Sequence, residues 1–97
     1  MVKLIIKDIT AGTLSNTEGT VLYCAIESAL KNNDLIFLSF EGINTISSSF
    51  LNSSLGSLVD KYGFNILKDK IKITNYTKPL ADIILKYISD LKTYTSV

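Results

Sequence analysis

Val2, Leu4 and Ile6 alternate with Lys3, Ile5 and Lys7 at the start of the chain, the two-residue period of a strand with at least one buried face. After the turn and capping residues of "GTLSNTEG", the period lengthens: Leu22, Ala25, Ile26, Ala29 and Leu30 recur at helical spacing until "KNND" stops them. "LIFLSF", residues 35–40, is a continuous apolar run of strand length, which predicts a central strand covered by helices on both sides. Leu51, Leu55, Leu58, Val59 and Tyr62 then give a second helix, with Gly63 placed as its left-handed C-cap. "IKIT", residues 71–74, alternates again as a strand. Pro79 opens a third helix carrying Leu80, Ile83, Ile84, Tyr87, Ile88 and Leu91. A further short strand between Ile9 and Leu14 is weakened by Gly12.

This order of strand, helix, strand, helix, strand, helix predicts a small α/β sandwich, with a mixed or largely parallel sheet and helices packed on it. The 35–40 and 71–74 strands are expected to be parallel neighbours joined by right-handed crossovers. The 97 residues, 46% apolar and 20% charged, fit one domain spanning 1–97 with a single core. Ligands and partners of such sheets tend to meet the carboxyl ends of the strands, here the loop "EGINTI" and the serines after it.

The chemistry is narrowed mainly by what the chain lacks. Ten lysines against nine acids give a formal charge of +1, and there is no arginine to fork onto phosphates or guanine edges, so nucleic acid is not an expected partner. The five tyrosines are dispersed and form no stacking platform. No apolar stretch approaches a bilayer span and "MVKLIIKDI" reads as a strand, so a cytoplasmic location and no membrane partner are expected. Without histidine there is no histidine general base and no zinc ligand set; neither a metal nor a cofactor is expected. Lone Cys24, on the outer side of the first helix, lacks a basic neighbour and receives no role. Lys68, Lys70 and Lys72 read as a solvated strand edge.

The segment "FEGINTISSSFLNSSLGSL" holds six serines, more than capping needs. Ser47 fits the N-cap of the second helix, with Ile46 before it and Leu51 four positions on forming a hydrophobic staple. On an ideal wheel of about 100° per residue, the apolar positions turn Ser48 inward and place Ser49, Ser53, Gly56 and Asp60 outward, with Phe50 on the margin. Ser49, Phe50, Ser53 and Gly56 are therefore the candidate partner-binding stripe, and Gly56 is expected to admit close packing by something outside the domain.

The segment "IFLSFEGINTISSSFLNSSLGSLVDKYG" followed by "IKITN" resembles the STAS-like domain family of unknown function, relatives of the STAS domains of bacterial anti-sigma factor antagonists. In those antagonists a similar strand leads into an Asp-Ser-Ser-Gly-Leu motif whose second serine is phosphorylated by a partner kinase of the histidine-kinase-like ATPase type. The matching residues are "SSSFL", 47–51, so the resemblance implies Ser49 as the phosphoacceptor. Ser47 stands for the motif's Asp, Phe50 for its Gly, and Ser39 for an acid common in the preceding strand, while Asn52 and Ser53 replace acids common after it. The STAS-like family tends to carry Ser-Phe at this place. The resemblance implies a non-catalytic signalling module that binds a protein partner, in the antagonists' case that ATPase. The alternative is a structural or self-associating domain, a homo-oligomer without a phospho-switch. An enzyme would have to work with Glu41, Asp60 or a lysine alone.

Overall fold

The computed structural model describes residues 1–32 and 35–95, with side chains to Leu91. Three strands, β1 (Val2–Ile5), β2 (Ile36–Ser39) and β3 (Ile71–Thr74), form one parallel sheet in the order β1-β2-β3. The register sets Val2 beside Ile36 and Ile36 beside Ile71, with Lys3, Phe37 and Lys72 in the next row. The apolar run of residues 35–40 is thus the central strand, as its composition predicts. Among the described residues six α-helical stretches connect or follow the strands: α1 (Ile6–Ile9), α2 (Asn16–Leu30), α3 (Ser48–Leu51), α4 (Ser57–Tyr62), α5 (Asn65–Asp69) and α6 (Lys78–Thr95).

Helices on both sides of the sheet were expected; the helices lie on one side. The physical reason is topological. Right-handed crossovers that run in one direction, from β1 to β2 and on to β3, deliver their helices to the same face. A second layer would require the strand order to reverse. Accordingly Ile36, Leu38 and Ile71 are buried beneath the helices, together with Leu22, Ile26, Phe50, Leu51, Leu55, Leu58, Leu80 and Ile84. On the opposite face Lys3 and Lys72 are exposed, and neither Ile5 nor Phe37, both half-buried, joins the core cluster.

Local chemistry fixes the helix ends. The Ser15 hydroxyl accepts the Glu18 N–H at 3.2 Å and donates to the Glu18 carboxylate at 3.0 Å, a reciprocal closure of the first turn of α2. Of the expected "KNND" stop, Asn33 and Asp34 lie outside the described residues. The Thr77 hydroxyl accepts the Leu80 N–H at 3.4 Å, and Pro79 occupies the first turn of α6, where no N–H is missed. Gly63 ends α4 at φ 91°, a backbone open to glycine. Between Ile9 and Leu14 the weak strand expectation gives way to the single turn α1 and a loop closed by Thr10, whose hydroxyl donates to the Gly12 carbonyl at 2.7 Å. The short α5 has no counterpart in the periodicity. No helix among the described residues is long and apolar enough to cross a membrane.

The helix spanning residues 48–62 is continuous but not uniform. Its first turn, α3, passes into a π turn over Asn52–Gly56 before α4 resumes. Against it packs α2, at closest approach through Gly19. A Cβ there would collide with the Ser53 hydroxyl and stand 2.6 Å from the Phe50 carbonyl oxygen. At the other end of this helix pair, the Glu27 carboxylate accepts hydrogen bonds from Lys61, from the Tyr62 hydroxyl at 2.9 Å and from the Tyr23 hydroxyl at 3.0 Å. Tyr62, expected in the core, is 46% exposed because its phenol reaches this carboxylate.

Two outcomes follow from this helix pairing. Gly19→Ala gains helix propensity of about 1 kcal/mol but forces a backbone contact that cannot yield, so a net loss of roughly 1–3 kcal/mol in urea unfolding is expected. Glu27 is held at about 2, below its ordinary 4.5, by hydrogen bonds from Lys61, Tyr62 and Tyr23 in that order. A lowered folded-state pKa contributes stability that is present above the unfolded value and is lost as pH falls through the folded one. Glu27→Gln is therefore expected to lower the melting temperature at neutral pH, with the difference from wild type closing between about pH 4.5 and about pH 2.

Candidate functional site

At the carboxyl end of the sheet, two loops are bound to each other. β2 ends at Ser39, whose buried hydroxyl donates to the Asn75 side chain at 3.0 Å and accepts the Glu41 N–H at 3.3 Å. Gly42, at φ 77°, turns the chain with the Lys7 stem against it. Buried Ile43 and Ile46 then anchor the loop. The Thr13 hydroxyl donates to the Thr45 carbonyl at 2.6 Å, and the Ser47 N–H bonds to the Thr13 carbonyl at 3.0 Å. A cavity of about 330 Å³ lies between the loops, lined in part by Lys7, Thr10, Thr13 and Asn44. The hydroxyls of Thr10 and Thr13 are occupied by bonds to backbone carbonyls, and Lys7 is paired with Glu41 at 3.3 Å. Among the described residues no cluster of three or more histidine, cysteine or acidic side chains could hold a metal.

Ser47 is the N-cap that its position predicts. Its hydroxyl accepts the Phe50 N–H at 3.1 Å and donates to the Leu14 carbonyl at 2.9 Å, which joins the helix start to the β1–α2 loop. Ile46 and Leu51, the expected staple pair, are both buried in the core. Ser49 is exposed, as expected.

The rest of the stripe is not on the surface. Phe50 is fully buried in the core, Ser53 is half-buried against Gly19, and Gly56 is buried beneath Tyr87. Ser48, expected inward, is exposed. The π turn explains the corrections at Phe50 and Ser48, while Ser53 and Gly56 are covered by α2 at Gly19 and by Tyr87 of α6, contacts that a wheel does not show. A turn whose bonds span five residues adds one residue to the helix, and each residue corresponds to about 100° of rotation. Positions before Asn52 are therefore rotated by about that angle from where an ideal wheel anchored on Leu55, Leu58 and Val59 puts them. Phe50 swings into the core and Ser48 out of it.

The serines have their own part in this geometry. Ser53 donates to the Ser49 carbonyl at 2.8 Å, Ser54 to the Phe50 carbonyl at 2.6 Å and Ser57 to the Asn52 carbonyl at 3.3 Å. Hydroxyls that bond back to carbonyls compete with the α-helical ladder, which favours departure from it. By contrast, the hydroxyls of Ser48 and Ser49 have no partner among the described residues.

The close packing at Gly56 is internal. A Cβ at Gly56 would stand 2.6 Å from the Tyr87 hydroxyl, which donates to the Asn52 side chain at 2.9 Å. Burial, and then the nearby Asp60 carboxylate, raise the Tyr87 pKa, further from neutral pH than that of an ordinary phenol. Between α6 and the start of α3 runs a groove lined by Ser48, Leu51, Ile83, Lys86, Tyr87 and Asp90. The wheel missed the Asn52–Tyr87 contact because it joins positions far apart in sequence. The run of serines around Gly56 was the available sign of an irregular helix. Cys24 is exposed, in keeping with its predicted place on the outer side of α2.

A family described as a STAS-like domain of unknown function matches residues 18–81. The chain belongs to the STAS-like domain family. No curated protein and no solved structure matches it. The matched stretch of this STAS-like domain runs from the first turn of α2 through the π-containing helix and β3 to the start of α6. The serine run thus lies within the matched region, while most of α6, including Tyr87, lies beyond it.

The position of Phe50 has a measurable consequence. Phe50→Ala is expected to cost about 3–5 kcal/mol in chemical unfolding, as for a buried aromatic. A surface phenylalanine would lose a fraction of that.

Proposed function

We propose that this STAS-like domain is a non-catalytic regulatory module that binds a protein partner at the exposed start of α3 and is switched by phosphorylation of Ser49. The reading rests above all on one observation: Ser49, with Ser48, is exposed and its hydroxyl has no partner among the described residues, in a run whose other serine hydroxyls are tied to the backbone. The resemblance to anti-sigma factor antagonists selects Ser49 over its exposed neighbour Ser48, and it makes a histidine-kinase-like ATPase the favoured partner. The exchange of the motif's Asp for Ser47 is mild in physical terms, since both residues serve as N-caps and Ser47 makes the capping bond.

The contact surface in this reading differs from the stripe drawn on the ideal wheel. It consists of Ser48, Ser49 and Asn52 with Leu14, 61% exposed, on the adjoining loop. None of the four is charged. A phosphate adds about −1.5 to −2 charge at neutral pH, so on such a surface it would dominate the local field and oppose an apolar or acidic partner surface. Release of the partner is the expected response.

The test is incubation with ATP and a serine kinase of the histidine-kinase-like type, followed by site mapping by mass spectrometry. Phosphate on Ser49 is expected, and Ser49→Asp should weaken partner binding about tenfold or more, a difference of about 1.4 kcal/mol. Absence of modification at Ser49, with partner binding indifferent to Ser49→Asp, would replace the switch with a constitutive binding module.

A further inference from the structure

Parallel sheets are nearly always covered on both faces, yet among the described residues no helix packs on the second face of this one. Along the central strand the bare side carries Phe37 and, one residue before β2, Leu35; both are half-buried, and neither joins the core. Lys3 and Lys72 flank Phe37 in register and are exposed. Hydrogen bonds from the Val2 N–H to the Leu35 carbonyl and from the Ile36 N–H to the Lys70 carbonyl extend the ladder by one residue. The next row therefore sets Met1, 80% exposed, and exposed Lys70 on either side of Leu35. An apolar ridge on the central strand is thus bordered by lysine on both sides, and no acidic residue occupies a strand position on this face. Lys72 uses one N–H on the Lys68 carbonyl at 3.2 Å, which leaves two donors.

We infer that this face is a docking surface for a single amphipathic α-helix of another protein, one whose apolar stripe is flanked by carboxylates. The outer strands stand about 10 Å apart, two strand spacings, and a helix with its side chains is about 10–12 Å across, so one helix laid along β2 covers the face. Its stripe meets Leu35 and Phe37. Its margins meet Lys3 on one side and Lys70 and Lys72 on the other. Charge disfavours the other occupants. A second copy placed face to face would set lysines against lysines, and a nucleic-acid strand would find a stacking surface at Phe37 alone, with no arginine beside it. The face lies across the sheet from the helix that carries Ser49, so it is independent of the switch proposed there.

The full chain is titrated, under isotope-resolved NMR, with three probes: a synthetic helical peptide with a leucine stripe bordered by glutamates, the same peptide bordered by lysines, and a thymidine oligonucleotide. The glutamate peptide is expected to shift the amides of residues 3, 35, 37, 70 and 72 and to leave those of 47–52 in place. Lys3→Glu with Lys72→Glu should weaken that binding at least about tenfold and transfer it to the lysine peptide. Phe37→Ser should abolish binding while the melting temperature stays within a few degrees of wild type, since Phe37 lies outside the core. The inference is overturned if neither peptide shifts these amides, if both bind equally, or if the oligonucleotide alone does so. It also fails if the amides shift with protein concentration alone, the sign of a second copy.

Discussion

The handedness of two chain crossings governs most of this molecule. The strands are parallel and follow one another in order across the sheet, and the general right-handedness of such crossovers delivers the helices between them to one layer, which α6 joins through Leu80 and Ile84. The core forms there, between the sheet and the helices, and small residues set the depth of that layer. Gly19 brings α2 against the backbone of the serine-rich helix, and Gly56 lets Tyr87 of α6 settle on its other side. Neither glycine is required for its torsion angles. Gly19 is required because the Phe50 carbonyl occupies the space a methyl group would take, whereas at Gly56 that space is held by the Tyr87 hydroxyl, the end of a side chain that can shift.

Within that layer the π turn decides which side chains of the serine-rich helix meet water. The buried positions Phe50, Ser54 and Leu58 are four residues apart, and so are Leu51, Leu55 and Val59. An α-helix does not keep a face at that spacing for long, because 3.6 residues make a turn. Four α-helical residues turn about 40° past a full circle, and the π turn, with more residues per turn, takes up that excess; the back-bonding hydroxyls of Ser53 and Ser54 are part of the same arrangement. The abundance of serine is then chiefly a matter of backbone geometry, which leaves Ser48 and Ser49 as the pair open to other chemistry.

The strands and three main helices were legible in the sequence because each carries its own period over enough residues. The central place of β2 was legible as well. Its continuous apolar run was misread in one respect: Leu35 and Phe37 look the same whether their side of the sheet is covered by the chain's own helices or left open. Ser47 was placed correctly because capping is local, and Ser49 because the wheel sets it far enough from the core to stay outward after the extra rotation. Phe50 and Ser48 were not, since one extra residue in the helix leaves no mark in hydrophobic periodicity, and Ser53 and Gly56 were not because the elements that cover them, α2 and α6, are distant in sequence. Tyr62 failed for a different reason, a carboxylate 35 positions away that no local pattern can reveal.

The π turn also makes the surface of this helix unusually sensitive to chain length. Loss of a single residue between 52 and 56 would let a regular α-helix form while Ser47 still capped its start and Gly63 its end. The first turn would then rotate by about 100° against the core, withdrawing Phe50 and presenting it to solvent while Ser48 turned inward. A one-residue deletion, with no change in the composition of the serine run, would thus rewrite the face that the domain offers at the carboxyl edge of its sheet.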